Sequence, residues 1–317
     1  MIDSSSQTLP RVSLIVCTHN PRPHLIEACL SAIGAQTMDH SSFELLIVDN
    51  NCNPPLDHER MEALARRPVN LLREKRPGLT YARVCGFNHA QSDIITFADD
   101  DNELFPDYLE RVVEIADSEP DLGVFGGKCL AKLEKDIGKT MTRFLPMLGV
   151  RDEGDESLTG PGKEWGPHEP IGAGIVVRRP VADAYVEFVE QSVGTGQLGR
   201  TGSQLLSGED SLISRLADKL GYLCGYRPQL KLHHFMEARR LSWSYLTKLM
   251  KGHGISYVRL ARVNGETFEP VSHWPARKQM VKNFLFRTKT KGIDDAFMHL
   301  FWDSGFYQEV RQGKNPE

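Results

Sequence analysis

The sequence predicts an α/β protein: a mostly parallel central sheet with helices on both faces, continued by a helical C-terminal extension. Two observations carry this. Over the first hundred residues, short apolar runs alternate with segments whose apolar residues recur at helical spacing. That is the pattern of strands joined by crossover helices, which makes a sheet parallel and covers it on both sides. Three of the runs also stop at polar clusters, Thr18-His19-Asn20, Asp49-Asn50-Asn51 and Asp99-Asp100-Asp101. Ligands of such sheets gather beyond the carboxyl ends of the strands.

The elements follow in order. Val12 to Cys17 reads as a strand and His24 to Ile33 as an amphipathic helix. Glu44 to Val48 is a second strand, Leu56 to Arg66 a helix and Val69 to Leu72 a short strand. Thr80 to Ala90 is helical, and Asp93 to Phe97 is the strand that runs into the aspartates. Pro106 opens a helix reaching Ser118, in the first turn, where its missing N–H costs little. Leu122 to Phe125 is another strand. From Lys135 to Pro170 periodicity is weak and Gly and Pro are frequent, which predicts a long loop-rich insertion. Ile171 to Val177 is apolar and Val181 to Gln191 helical. Gly194, Gly196, Gly199 and Gly202 then punctuate a stretch that would serve as a lid ordering on ligand binding. Asp210 to Leu220 is helical, Gln229 to His233 strand-like and Trp243 to Lys251 helical.

A net charge of -4 argues against general nucleic-acid binding. The six cysteines contain no C-x-x-C pair, as expected of free thiols in a reducing compartment. The N-terminus lacks a basic start followed by an apolar core, and no apolar run approaches the ~20 residues of a membrane-spanning helix. The expected location is cytoplasmic.

Three adjacent carboxylates at a strand end repel one another unless something positive offsets them. Hard cations such as Mn²⁺ and Mg²⁺ prefer carboxylate oxygens and share their shell with phosphates. The plain alternative is a polar turn, where Asp and Asn are favoured. Ser207-Gly208-Glu209-Asp210 opens a helix, where acids suit the positive end; that explains one acid and leaves the other for chemistry, Asp210 as a general base and Glu209 beside it as an acceptor-binding group. His233-His234 follows a strand; imidazole can complete a carboxylate metal site, although a histidine is more often structural. Arg239 and Arg240 would neutralise phosphate or stand as a solvated helix start. Trp165 would stack on a sugar ring or pin its loop to the core.

The pieces VSLIVCTHNP, LLIVDNN, REKRPGLTYAR, ITFADDDNELFPDYL, PIGAGIVVRR, SGEDSLISRL and HHFMEARRLS, in this order and spacing, resemble a family-2 glycosyltransferase of GT-A fold. The resemblance implies that Thr18 and Asn20 lie at the nucleotide-binding strand end and that Asp49 bonds the base. It implies Arg76 and Arg83 in the nucleotide pocket, Asp99 facing the ribose with Asp100 beside it, and Mn²⁺ or Mg²⁺ at Asp101 and His234. Asp210 would be the catalytic base of a single inverting displacement. Where such enzymes often have Asn after the arginine, this chain has Val84. The donor would be a UDP-sugar ahead of a GDP- or dTDP-sugar, and the acceptor a glycan or lipid-linked sugar. The implied division is a flexible 1–10, a catalytic domain 11–260 (nucleotide part 11–130, acceptor part 131–260) and an extension 261–317. Competing readings are a nucleotide-sugar-binding protein without catalysis and a sugar-phosphate nucleotidylyltransferase. The latter normally has a glycine-rich loop after the first strand, where this chain reads CTHNPRPH.

The extension carries Arg277, Lys278, Lys282, Arg287, Lys289 and Lys291 with no acid between Trp274 and Lys291. With Phe284, Leu285 and Phe286 interleaved and Phe297, Leu300, Phe301 and Trp302 downstream, the 274–302 segment suits peripheral contact with the inner face of a membrane. The alternative is a helix whose aromatics pack on the core or on a second subunit of a homo-oligomer.

Overall fold

The structure is a computed structural model that describes residues 9–191 and 205–312. The expected glycine-rich lid and most of the 1–10 segment lie outside the described residues. Its elements are β1 (Val12–Thr18), α1 (Pro23–Gly34), β2 (Phe43–Asn50), α2 (His58–Ala65), β3 (Asn70–Glu74), α3 (Leu79–His89), β4 (Ile94–Asp99), β5 (Asn102–Leu104) and α4 (Tyr108–Ser118). After these come β6 (Leu122–Leu133), α5 (Lys139–Thr142), a 3-10 turn at Leu145–Leu148, β7 (Leu158–Pro161), β8 (Val176–Arg178), α6 (Arg179–Gln191) and α7 (Glu209–Lys219). The chain closes with β9 (Leu223–Met236), α8 (Trp243–Val263), α9 (His273–Thr290) and α10 (Ile293–Arg311).

One sheet runs β3-β2-β1-β4-β8-β6-β9-β5, with β7 beside β9. The first four strands are parallel, and their register sets Thr18 opposite Asp49 and Cys17 opposite Asp99. Parallel pairing thus brings the three polar clusters to one edge. The other half mixes directions: β8 is antiparallel to β4 and β6, while β6 and β9 are parallel. Short β5 pairs antiparallel with β9, setting Asn102 opposite His234. This pairing carries the distant imidazole to the aspartates.

Buried apolar side chains cover both faces of the sheet, with Leu30, Ile33 and Leu109 on one and Phe87, Tyr185 and Ile213 on the other. A third cluster joins Phe144, Leu145 and Leu148 of the 135–170 insertion to Leu249 and Met250 of α8 and Met298 of α10. Burying each such side chain contributes roughly 1.5–3 kcal/mol, so the insertion and the C-terminal helices hold one another.

Two elements outrun their sequence pattern because of glycine. Strand β6 continues past Phe125 through a register shift at Gly126/Lys128. A Cβ at Gly127 would lie 2.1 Å from the Leu230 carbonyl oxygen, so only glycine fits there. Helix α8 runs on through Gly252-His253-Gly254, which broke the helical pattern. A Cβ at Gly254 would stand 2.1 Å from the Trp302 carbonyl oxygen, and one at Gly305 2.0 Å from that of Lys251; the glycines let α8 and α10 touch backbone to backbone. The expected boundary at residue 260 therefore falls inside a helix that is packed on both sides. Among the described residues no helix is long and apolar enough to cross a membrane.

Gly254→Val tests this packing. The added volume meets backbone, and overpacking of that kind costs about 1–3 kcal/mol. The urea unfolding midpoint should fall accordingly, and an unchanged midpoint would mean that the two helices separate freely.

Candidate functional site

A cavity of about 1240 Å³ opens at the carboxyl ends of β1 and β4. The three aspartates that head it diverge to different partners, which lessens but does not remove their repulsion. Asp100 accepts a short hydrogen bond from the Thr18 hydroxyl. Asp101 accepts from Arg240 Nη1 at 3.1 Å, and its other oxygen lies 3.4 Å from His234 Nε2. Asp99 adds negative charge beside Arg83.

His234 Nδ1 lies 3.2 Å from the Gly149 carbonyl oxygen and donates to it. That bond holds the ring in place, with Nε2 facing Asp101 and Arg240. Asp101 Oδ1 also accepts from Asn102 Nδ2 at 3.1 Å, and Arg240 Nη1 lies 3.1 Å from His234 Nε2, so positive charge already faces both groups. The donor set suits Mn²⁺ or Mg²⁺, which accept one carboxylate and an imidazole and leave room for phosphate oxygens. Among the described residues no cluster of three His, Cys, Asp or Glu forms, so other positions around an ion would fall to phosphates and water. His233 faces away from this pair and lies against the Phe105 ring.

Asp210 lies in the first turn of α7, with Oδ2 accepting from the Gly172 N–H at 3.1 Å and Oδ1 from the Ser211 N–H at 3.0 Å. Next to it, Arg83 is fully buried. Burial works against its charge, but Glu209, Tyr185, Asp99 and Asp210 more than compensate and raise its pKa. Arg83 Nη1 stands 3.7 Å from Glu209, whose other oxygen accepts from the Tyr185 hydroxyl at 2.6 Å. Gly172 separates Arg83 from Asp210: a Cβ there would meet Arg83 Nη2 at 2.7 Å.

Thr18, Arg83, Asp99, Asp100, Asp101, Glu209, Asp210, His234 and Trp165 all line the cavity. Four of the expected residues are held by other partners within the chain. Glu209 is 4% exposed and bonded to Tyr185 beside Arg83, so it braces the arginine. Asp49 is buried outside the cavity lining, and its two oxygens accept from the N–H groups of Cys52 and Leu56, so it shapes the loop after β2. Asn20, at φ 51°, accepts from the Asn53 N–H and holds the same loop from outside the cavity. Arg76 turns outward, 2.7 Å from Glu74 and over the Tyr81 ring. Asn50 stands on the cavity wall instead, donating to the Arg76 carbonyl and accepting from the Gly78 N–H. Trp165 is 68% exposed, so it does not pin its loop to the core.

Helices α8 and α10 complete the wall with His253, Tyr257 and Trp302. The Tyr257 and Trp302 rings lie 5.4 Å apart. Neither residue sits in a motif, and only the tertiary packing of the two helices brings them here.

Loss of water around Asp100, reinforced by Asp101 and Asp99 and opposed by Thr18, pushes its carboxyl up from 3.8 to about 7. Below 3.8 both folded and unfolded chains hold the proton and stability is unaffected. Between 3.8 and about 7 only the folded chain keeps it, so this group makes stability fall as pH rises, levelling off above about 7. In metal-free buffer Asp100→Asn should flatten that fall, read as thermal midpoints across the window. Parallel curves for both proteins would refute the assignment.

The profile of the family described as glycosyl transferase family 2 matches residues 13–185. EpsH of Bacillus subtilis (strain 168) is 32% identical over 134 residues, 42% of this chain and 37% of EpsH. A Haloferax volcanii protein named glucosyl-dolichyl phosphate glucuronosyltransferase is 23% identical over 248 residues, 74% of this chain and 72% of its own. In three dimensions, S. aureus TarS 1-349 in complex with UDP-GlcNAc superposes with a TM-score of 0.50 at 13% identity, covering 96% of this chain and 92% of that one. The fold is shared with TarS, whereas the chain spans only about a third of EpsH. The family match takes in the strand ends at Thr18, Asp49 and Asp99 and covers more than half of the sequence: the chain belongs to glycosyl transferase family 2.

Proposed function

We propose that the protein is an inverting, metal-dependent glycosyltransferase that moves a sugar from a nucleoside diphosphate sugar to an acceptor hydroxyl. What carries this reading is one cavity that holds both the Asp101–His234 acceptor pair and the Asp210 carboxylate. Asp210 takes the hydroxyl proton as the acceptor oxygen attacks the anomeric carbon from the face opposite the diphosphate. The bond from that carbon to the diphosphate oxygen breaks with its electron pair passing to phosphate, so a single displacement inverts the centre. Arg240, beside Asp101, supplies positive charge for the departing diphosphate. Mn²⁺ or Mg²⁺, when bound at Asp101 and His234, would neutralise the same charge. Arg83, held by Glu209, keeps a fixed cation behind Asp99 and Asp210.

The UDP-GlcNAc bound by TarS supports a UDP-sugar donor. The name of the Haloferax relative supports a lipid-linked sugar acceptor, and the exposed faces of Trp165 and Tyr257 suit sugar rings. Such an acceptor also supports a place at the inner face of the cell membrane.

Asp210→Asn should lower kcat by about 10²–10⁴-fold, the usual worth of a positioned base, while calorimetry still detects UDP-sugar binding. Transfer at the wild-type rate would end the assignment. EDTA should abolish transfer and Mn²⁺ restore it, with restoration lost in His234→Ala. Full transfer in EDTA would rule out the metal.

A further inference from the structure

Helix α9 stands apart from the rest of the surface. Of its 18 residues only Ala276 is buried. Trp274 is 80% and Phe286 68% exposed, with Val281 and Leu285 also in solvent. Of the aromatics that the sequence left open to pack on the core, Phe301 and Trp302 of α10 do, whereas Trp274 and Phe286 of α9 do not. Trp274, Val281 and Leu285 are seven and four residues apart, and at 3.6 residues per turn they fall within about 40° of one another. Lys278, Lys282 and Lys289 border that stripe on one side and Arg277 on the other by the same geometry. Ile293 and Phe297 extend the exposed apolar surface onto the start of α10.

The charge is as one-sided as the exposure. Six cations and no acid lie between Trp274 and Gly292. Of the nearby acids on α10, Asp295 and Asp294 face Arg143, while buried Asp303 accepts from Asn283 of α9 and neighbours His299 without pairing, among the described residues, with any of the six cations. Removing six positive charges from a chain of net charge -4 leaves -10. A negative surface would therefore attract α9 and repel the remainder, which fixes an orientation.

We propose that α9 docks the protein on an anionic lipid bilayer, with Trp274, Val281 and Leu285 entering the headgroup boundary and the flanking lysines and Arg277 pairing with lipid phosphates. A second copy of the chain is the poorer occupant, because two such faces, each with four cations beside its stripe, repel. A nucleic-acid backbone would leave the apolar stripe in water. Helix α9 packs on α10, and α10 with α8 walls the cavity through Trp302 and Tyr257. Docking would thus hold the cavity's acceptor wall one helix away from the bilayer. The docking rests on α9 alone; only its purpose, access to a lipid-linked acceptor, rests on the proposed function.

Cosedimentation of the full chain with vesicles tests it. Binding is expected to phosphatidylcholine vesicles containing phosphatidylglycerol and not to phosphatidylcholine alone, and added salt should weaken it. The triple variant Lys278→Glu, Lys282→Glu, Lys289→Glu should lose at least about tenfold in partition with its circular dichroism unchanged. A blue shift of tryptophan emission on vesicle addition should disappear in Trp274→Phe. Asp210→Asn should bind vesicles like the wild type, so failure of catalysis and failure of docking are read separately. The proposal is overturned by absence of binding to anionic vesicles, by binding that the triple variant retains, or by a dimer or an oligonucleotide complex that the variant abolishes while vesicles are ignored.

Discussion

The contact on which the site depends is that of Asp101, His234 and Arg240. It joins residues more than a hundred positions apart, and the three-residue strand β5 makes it possible. Asn102 opposite His234 in the β5–β9 pairing fixes the imidazole beside the carboxylate, and the Phe235 N–H bound to the Asp101 carbonyl locks the same register from the backbone. Because side chains alternate along a strand, a slip of one residue would exchange His234 for His233. The register shift matters for this reason: β9 advances from Tyr226 to Lys231 while β6 passes only from Gly126 to Lys128, and this sets which residues of β9 arrive at the aspartate edge.

A second constraint is electrostatic. Arg83 is a fully buried cation, which would be costly if left alone. Glu209, anchored by Tyr185, faces it, and Asp99 and Asp210 add negative charge from the cavity side. The group that makes the interior tolerable to the arginine is thus the immediate sequence neighbour of Asp210. Gly172 completes the arrangement by leaving space for the guanidinium while its N–H orients the Asp210 carboxylate.

The parallel half of the fold was legible because strand and helix periods alternate cleanly up to Asp99, and the carboxyl ends of those strands pointed to the cavity. Asp101, His234, Asp210 and Arg83 could be named from motifs that keep their order. Asp49, Asn20 and Arg76 could not be placed, since whether a strand-end side chain turns to the cavity or to its own loop depends on local backbone: Asn20 and Asn51 both adopt positive φ there. The bracing role of Glu209 was not legible because its partners, Tyr185 and Arg83, come from other helices. Glycine hid the true lengths of β6 and α8, where it serves contact between backbones rather than a turn. Trp302 could be named as an aromatic of the basic tail, but its place beside Tyr257 on the cavity wall comes only from the packing of α8 on α10.

The shared cluster of Phe144, Leu148, Met250 and Met298 has a consequence for how such a chain can diversify. The aspartate edge belongs to the rigid parallel sheet, whereas the opposite wall hangs on helices contributed by the tail. Substitution along α8 and α10 can therefore recontour the wall at Tyr257 and Trp302 while the β5–β9 pairing keeps His234 beside Asp101. The two walls are tied through Leu148, whose carbonyl accepts from Arg240, so a change on either side is felt across the cleft.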